Sequence, residues 1–235
     1  MSGILPTAPA HFVVRPYLFI DAQHGLGNRL RAIASAASIA YVTDRQLAVI
    51  WEPDHHCRAQ LSDLIDFDEP VLPSGEGVRD LMRKRSLKTY NYMEVEPGAL
   101  FEEPILADRA ILPGDIYVRS AYSLKSPHSD PIIENRFLRS LRPAQAVCEM
   151  VAAVDHPSDV AMHIRMATGP AFNHLAHEAP SNWPPARHVE LLDWRSKSHI
   201  SQFVARLDQI IEERGKQSVF VAADLLETYS ALSDR

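Results

Sequence analysis

The chain has little cysteine, no surplus of positive charge and no long apolar run. Only two cysteines occur in 235 residues, Cys57 and Cys148, and they stand too far apart for a metal-type spacing. That argues against a disulfide framework and for free thiols in a reducing compartment. The formal charge is −6, whereas a protein that wraps nucleic acid needs excess Lys and Arg to neutralise phosphates. A local basic pocket for one nucleotide is still compatible with that charge. No segment reaches the roughly 18 apolar residues of a membrane span. The opening "MSGILPTAPAHFVV" lacks the basic start and apolar run of a signal peptide. Internal repeats and low-complexity segments are also lacking. What remains is 46% hydrophobic and 23% charged, the composition of an ordinary globular protein. The expectation is a soluble, cytoplasmic chain with no membrane span and no nucleic-acid partner.

Hydrophobic periodicity gives an α/β pattern. "YLFID" (17–21) reads as a buried strand, and the helix after it carries Leu30, Ile33, Ala34, Ala37 and Tyr41 at helical spacing. "QLAVIW" (46–51) is a second strand, so the three form a βαβ unit with parallel strands and a right-handed crossover. "SLKTYNYMEV" (86–95) and "DIYVRSAY" (115–122) read as further strands, with Pro-rich loops between them. Helical pattern follows from Ile132 to Val154, with Pro143 starting a second helix. "DVAMHIRM" (159–166) opens a new strand, and a polar, Pro-rich loop covers 167–187. A helix is expected over 188–214, stopped by Gly215, then a strand at "SVFVAAD" (218–224) and a final helix. The pattern predicts two Rossmann-like halves, 1–142 and 143–235.

Three local patterns bear chemistry. In "HGLGNRLR" the glycines Gly25 and Gly27 allow positive φ and close backbone approach, and the N–H groups of the following helix favour a phosphate. Asn28 adds an amide and Arg29 a fixed charge. The dinucleotide fingerprint would need a third glycine where Leu30 stands, and no Walker GK[ST] is present. On the glycines alone the segment reads equally well as a tight βα turn. In "HIRM", His163 and Arg165 share one face of a strand end, where open α/β sheets bind ligands and a guanidinium suits a diphosphate. A structural arginine paired to a helix carboxylate fits those residues as well. In "FVAAD", Asp224 at a strand tip suits a base or ribose hydroxyl, though a helix N-cap is the better reading of the residue by itself.

Other patterns fail. "DHHC" (54–57) matches a palmitoyltransferase signature only superficially, because the Cys-rich zinc domain and membrane spans are missing. His174, His177 and Glu178 could ligate a metal, but the spacing required of a third ligand is absent, and HExxH does not occur. Trp194, Arg195, Lys197 and His199 read as a polar helix start.

The order of these segments carries more than any one of them. "GLGNRLRAIASAASIA", "WEPDHHCRAQLSDLID", "HIRM", "NWPPARHVELLDWRSKSHISQF" and "VFVAADLLETY" together resemble the fucosyltransferase-like glycosyltransferases. These are GT-B enzymes related to protein O-fucosyltransferases, α1,6-fucosyltransferases and the nodulation fucosyltransferase. The resemblance runs from about Tyr17 to the last residue. It implies a GT-B-like α/β fold whose first half serves the acceptor and whose second half binds a nucleotide sugar such as GDP-fucose. It implies no metal and no cofactor beyond the donor itself. The arginine of the family's HxR motif stabilises the departing diphosphate, and that position here is Arg165, with His163 as its motif partner. Gly27, Asn28 and Arg29 correspond to the Gly-rich turn on the donor side, and Asp224 to the acidic residue near the nucleoside.

Two departures qualify the resemblance. After HxR the chain reads Met166, Ala167, Thr168 and Gly169, so no general base is assignable. The family's second half also runs well past its third motif, whereas here eleven residues follow Asp224. The expectations are a second half that is incomplete, a self-associating chain, and either a fucosyltransferase with an unknown acceptor or a silent nucleotide-sugar or glycan-binding relative. An oxidoreductase using the glycine turn is disfavoured by the missing third glycine.

Overall fold

The structure, a computed structural model, describes residues 15–73, 75–94, 96–107, 113–154, 158–166, 181 and 183–233. The chain divides into two compact units, Met1–Ala144 and Gln145–Arg235.

The first unit is built on a five-stranded sheet. Strands β1 (Tyr17–Ala22), β2 (Gln46–Ile50), β4 (Val71–Leu72), β5 (Lys88–Asn91) and β6 (Ile116–Ser120) lie in the order β4-β2-β1-β6-β5. Every pairing is parallel, so both faces must be covered. The period of two in β1 divides it cleanly. Leu18, Ile20 and Ala22 enter one core with Ile33, Ala36 and Ile39 of helix α1 (Leu26–Val42). Phe19 enters the other with Ala48, Ile50, Tyr117 and Met82, the last from helix α3 (Glu76–Arg85). At roughly 25 cal/mol per Å² of apolar surface, this double burial is the main force holding the unit together.

Helix α1 is rich in alanine and serine because it is enclosed on two sides. Its sheet side packs on β1, and its far side meets helix α4 (Pro131–Ser140). There Ser35 donates to Glu134 at 3.2 Å and Ser38 to the Asp130 carbonyl at 3.2 Å. The expected stripe through Tyr41 is therefore corrected: Tyr41 is 73% exposed, while Ala32, Ser35, Ala36 and Ser38 are sealed. Close helix approach selects small residues, and the hydrophobic scale alone misses them.

Several connections differ from the expectation. Helix α3 occupies a stretch read as loop, because "EGVRDLMRKR" buries only Met82 and carries charge on its other sides. A short helix α2 (Leu61–Leu64) precedes strand β3 (Ile65–Asp66), which pairs antiparallel with strand β7 (Arg142–Pro143). Pro143 is thus at a strand edge, and helix α5 begins two residues later (Gln145–Ala152).

In the second unit, strands β8 (Val160–Ile164) and β9 (Val219–Ala223) pair in parallel. The helix expected over 188–214 is two, α6 (Pro185–Lys197) and α7 (Ile200–Arg214), separated where the His199 ring caps α7 by accepting from Ser201 N–H. The cluster around Trp194 consequently closes α6 instead of opening a helix, with Lys197 over the Trp194 ring at 4.9 Å. Gly215, at φ 79°, ends α7 as expected. Helix α8 (Leu226–Ser233) follows β9.

Candidate functional site

Strand order decides where a site can form in the first unit. From β1 the chain moves to β2 on one side and later to β6 on the other, so the loops after β1 and β6 diverge and leave a crevice at their C-terminal ends. Gln23 N–H donates to the Ser120 carbonyl at 2.9 Å and fixes the floor of that crevice.

A buried carboxylate organises it. Asp21, the fifth residue of β1, is fully buried. Its Oδ2 accepts from the Tyr117 hydroxyl at 2.7 Å, Arg119 at 2.7 Å and Arg79 at 3.2 Å, and its Oδ1 from the Gln23 amide at 2.6 Å. Each arginine also grips a rim carboxylate: Arg119 donates to Glu96 through Nε and Nη2, at 2.7 to 3.1 Å, and Arg79 pairs with Glu52. Burial opposes the charge on Arg119, but hydrogen bonds and charges from Glu96 and Asp21 outweigh it and hold the guanidinium above its ordinary range. Burial likewise opposes ionisation of Glu96, and Arg119 more than reverses it, so Glu96 stays ionised below the usual carboxylate range. Burial and the Asp21 charge push the Tyr117 phenol up. Among the sequence expectations Asp21 figured only as a strand end. Arg79, Arg119, Glu52 and Glu96 were not singled out.

The glycine turn differs from its expected geometry. Gly25 is the N-cap of α1 at φ −68°, and Gly27 lies inside the helix, where an added Cβ would meet nothing within 4 Å. The positive φ of the turn belongs to His24, at 65°, a conformation histidine tolerates better than most residues. The reading that Gly25 and Gly27 supply positive φ is therefore corrected. What Gly27 does supply is bare surface beside a helix start that has no capping side chain and no acidic residue in its first turn. The Asn28 side chain is half-buried, and its amide has no hydrogen-bond partner among the described residues. Gly27→Ala should accordingly raise stability by about 0.5–1 kcal/mol, since the helix gains propensity without a clash. Thermal melts test this, and a clear loss of stability would mean the turn is tighter than described.

Arg29 does not face the crevice. It is 1% exposed and lies over the Trp51 ring at 4.7 Å. It donates to the His24 carbonyl at 2.6 Å and the Glu52 carbonyl at 2.7 Å, and pairs with Asp54 at 2.9 Å. Asp54 in turn accepts from the backbone N–H of His56 and Cys57 at 2.8 and 2.9 Å. The expectation of a donor contact from Arg29 is corrected to a structural role: it fastens the loops after β1 and β2 together and locks His24 in its left-handed conformation. "DHHC" is the turn it holds.

His24 is titratable in a tight place. Burial lowers its pKa from the ordinary 6.5, and Arg119 and Arg29 add to this, while Asp54 and Glu96 pull the other way without reversing it. Its folded pKa thus lies below the unfolded value, so the unfolded chain binds more protons in that window. Stability is full above 6.5 and falls as pH drops below it. His24→Asn keeps a residue that accepts the left-handed conformation and removes the titration. Its melting temperature should fall less than that of the parent between about pH 7 and about pH 5. Parallel curves for the two proteins would exclude His24 as the source.

In the second unit the strand register brings two expected residues together. His163 is opposite Ala222 and Ile164 opposite Ala223, so Arg165 and Asp224 leave the two strands side by side. The Asp224 carboxylate accepts from Met166 N–H at 2.9 Å, and Asp224 N–H donates to the Ile164 carbonyl at 3.3 Å. Met162 and Ile164 are buried, whereas His163, Arg165 and Asp224 are exposed. Strand alternation thus puts His163 and Arg165 on the open face, as expected. His174, His177 and Glu178 lie outside the described residues.

No protein-family model matches the chain, and no curated protein sequence matches it. Solved structures do. The fucosyltransferase NodZ from Bradyrhizobium aligns with 94% of this chain and 76% of its own, at TM-score 0.51 and 14% identity. NodZ α1,6-fucosyltransferase co-crystallised with GDP aligns over the same shares at TM-score 0.50 and 14% identity. POFUT1 in its apo form aligns with 98% of this chain and 84% of its own, at TM-score 0.46 and 15% identity. With its parallel sheet and its alignment to NodZ over 94% of its length, the chain has the α/β fold of that fucosyltransferase.

Proposed function

We propose that this protein is a glycosyltransferase that transfers a sugar, fucose in the first place, from a GDP-sugar to a hydroxyl acceptor without a metal ion. The observation that carries the reading is the placing of Arg165 and Asp224 at adjoining strand tips, in a chain whose fold matches NodZ over 94% of its length. One relative of that fold was crystallised with GDP.

The chemistry suits the residues. As the glycosidic bond to the diphosphate breaks, negative charge grows on the leaving phosphate and positive charge on the sugar ring. A preorganised guanidinium such as Arg165 is worth most against the first of these. Asp224, held by Met166 N–H, presents a carboxylate for the nucleoside, and His163 adds an imidazole to the same open face. On this reading the first unit serves the acceptor and the second unit serves the nucleotide.

Titration calorimetry of the full chain with GDP, UDP and NAD tests the proposal. GDP should bind most tightly. Equal or tighter binding of NAD would sink it in favour of an oxidoreductase, and GDP binding without turnover of GDP-fucose would favour a silent relative.

A further inference from the structure

We propose that a ladder of rings at the C-terminal edge of the first unit's sheet is the seat of a glycan acceptor, whose pyranose faces stack on Phe101 and Tyr122. The proposal rests on the glycosyltransferase reading above and assigns the acceptor class that reading leaves open.

Six rings meet there, brought by separate loops. His24 follows β1, His55 and His56 follow β2, Tyr92 follows β5, Tyr122 follows β6, and Phe101 comes from the segment after β5. The strands are parallel, so all these loops emerge at one edge. His55 and His56 are 4.0 Å apart between centroids, and His56 stacks on His24 at 4.8 Å. His24 meets Tyr122 edge-on at 6.4 Å, Tyr122 meets Phe101 at 5.1 Å, and Phe101 meets Tyr92 at 6.3 Å. Tyr92 is wholly buried and anchors one end, while Phe101 is 40% exposed. His55 and His56 are at the surface, and His24 and Tyr122 are half-buried. Rings gathered only to fill a core would all be buried. These are supported from beneath and open above.

Such a surface has apolar faces and polar tips. A pyranose ring has the same division: a patch of C–H groups, slightly positive, that fits the negative face of an aromatic ring, and hydroxyls around it. The charges nearby favour a neutral partner. Asp54 and Glu96 both act on His24, and the neighbouring cations are engaged, Arg29 with Asp54 and Arg119 with Asp21 and Glu96. Two carboxylates suit sugar hydroxyls as hydrogen-bond acceptors. With each of these guanidinium groups already paired to a carboxylate, neither is left over for a phosphate, which separates this surface from a nucleotide site.

Aromatic NMR spectra of the full chain, titrated with chitotetraose, cellotetraose and maltotetraose, test the assignment. At least one of these should shift the ring signals of Phe101 and Tyr122 at millimolar concentration. Phe101→Ala should weaken that binding roughly three- to tenfold with the fold retained, because the side chain is 40% exposed. GDP is titrated in parallel. If GDP binds and no oligosaccharide does, the glycan acceptor is wrong and the donor reading stands. If an oligosaccharide binds and GDP does not, the ring platform stands and the transferase reading falls. If neither binds, both fall, and an affinity unaffected by Phe101→Ala would overturn the platform by itself.

Discussion

Asp21→Ala should cost about 3 kcal/mol of folding stability, the range seen when one partner of a buried charge pair is removed. Asp21 has no exposure, and its carboxylate is shared by Arg79, Arg119, Tyr117 and Gln23. Without it a cavity opens beneath two guanidinium groups whose side chains are only 12% and 20% exposed. Arg119 keeps Glu96, and Arg79 keeps Glu52 and Glu76, so the loss should stop short of complete unfolding. Glu52→Gln removes one of those rim charges, at a side chain 38% exposed, and should cost no more than about 1 kcal/mol. Urea denaturation of the two variants beside the parent measures both. Equal losses for Asp21→Ala and Glu52→Gln would mean that the network has no hub.

The second large effect concerns turnover. Arg165→Ala should lower the rate of GDP-fucose consumption by about two to three orders of magnitude, the usual consequence of losing one preorganised donor to a developing anion. Stability should change by no more than about 0.5 kcal/mol, because the side chain stands exposed at the end of β8. Asp224→Asn is the companion variant: it keeps an oxygen to accept from Met166 N–H while removing the charge, so it should impair donor affinity with the strand tips intact. A melting temperature that collapses in Arg165→Ala, with GDP affinity unchanged in the folded fraction, would make the arginine structural. That outcome would remove the main support for the transferase proposal.

Both predictions divide along the same line as the two kinds of information in the chain. The alternation in "YLFID" and "QLAVI" and the helix between them are local properties, set by side-chain period and turn chemistry. Sequence therefore determined the βαβ start, the strands that carry Arg165 and Asp224, the stop at Gly215, and the order of patterns that resembles the fucosyltransferases. It also put His163 and Arg165 on one strand face, which needs only a period of two. It did not determine which way Arg29 points. A guanidinium after a glycine turn suits a phosphate equally well whether it reaches outward or folds back under Trp51, and the choice was made by Asp54, 25 positions away along the chain.

Only tertiary structure could supply the rest. Asp21 becomes a hub because Arg79 and Arg119, 58 and 98 residues further on, are brought to it by α3 and β6. No local pattern encodes those distances. Helix α3 was illegible because its ten residues are mostly charged and bury a single methionine, so few apolar positions are there to show a period. The left-handed residue of the turn is His24 and neither glycine, since the backbone there is dictated by the Arg29 bond to its carbonyl and by the entry into α1. The ring ladder follows the same rule. Six aromatic side chains scattered over 99 positions from His24 to Tyr122 mean nothing in sequence, and they meet because parallel strands deliver every following loop to one edge of the sheet.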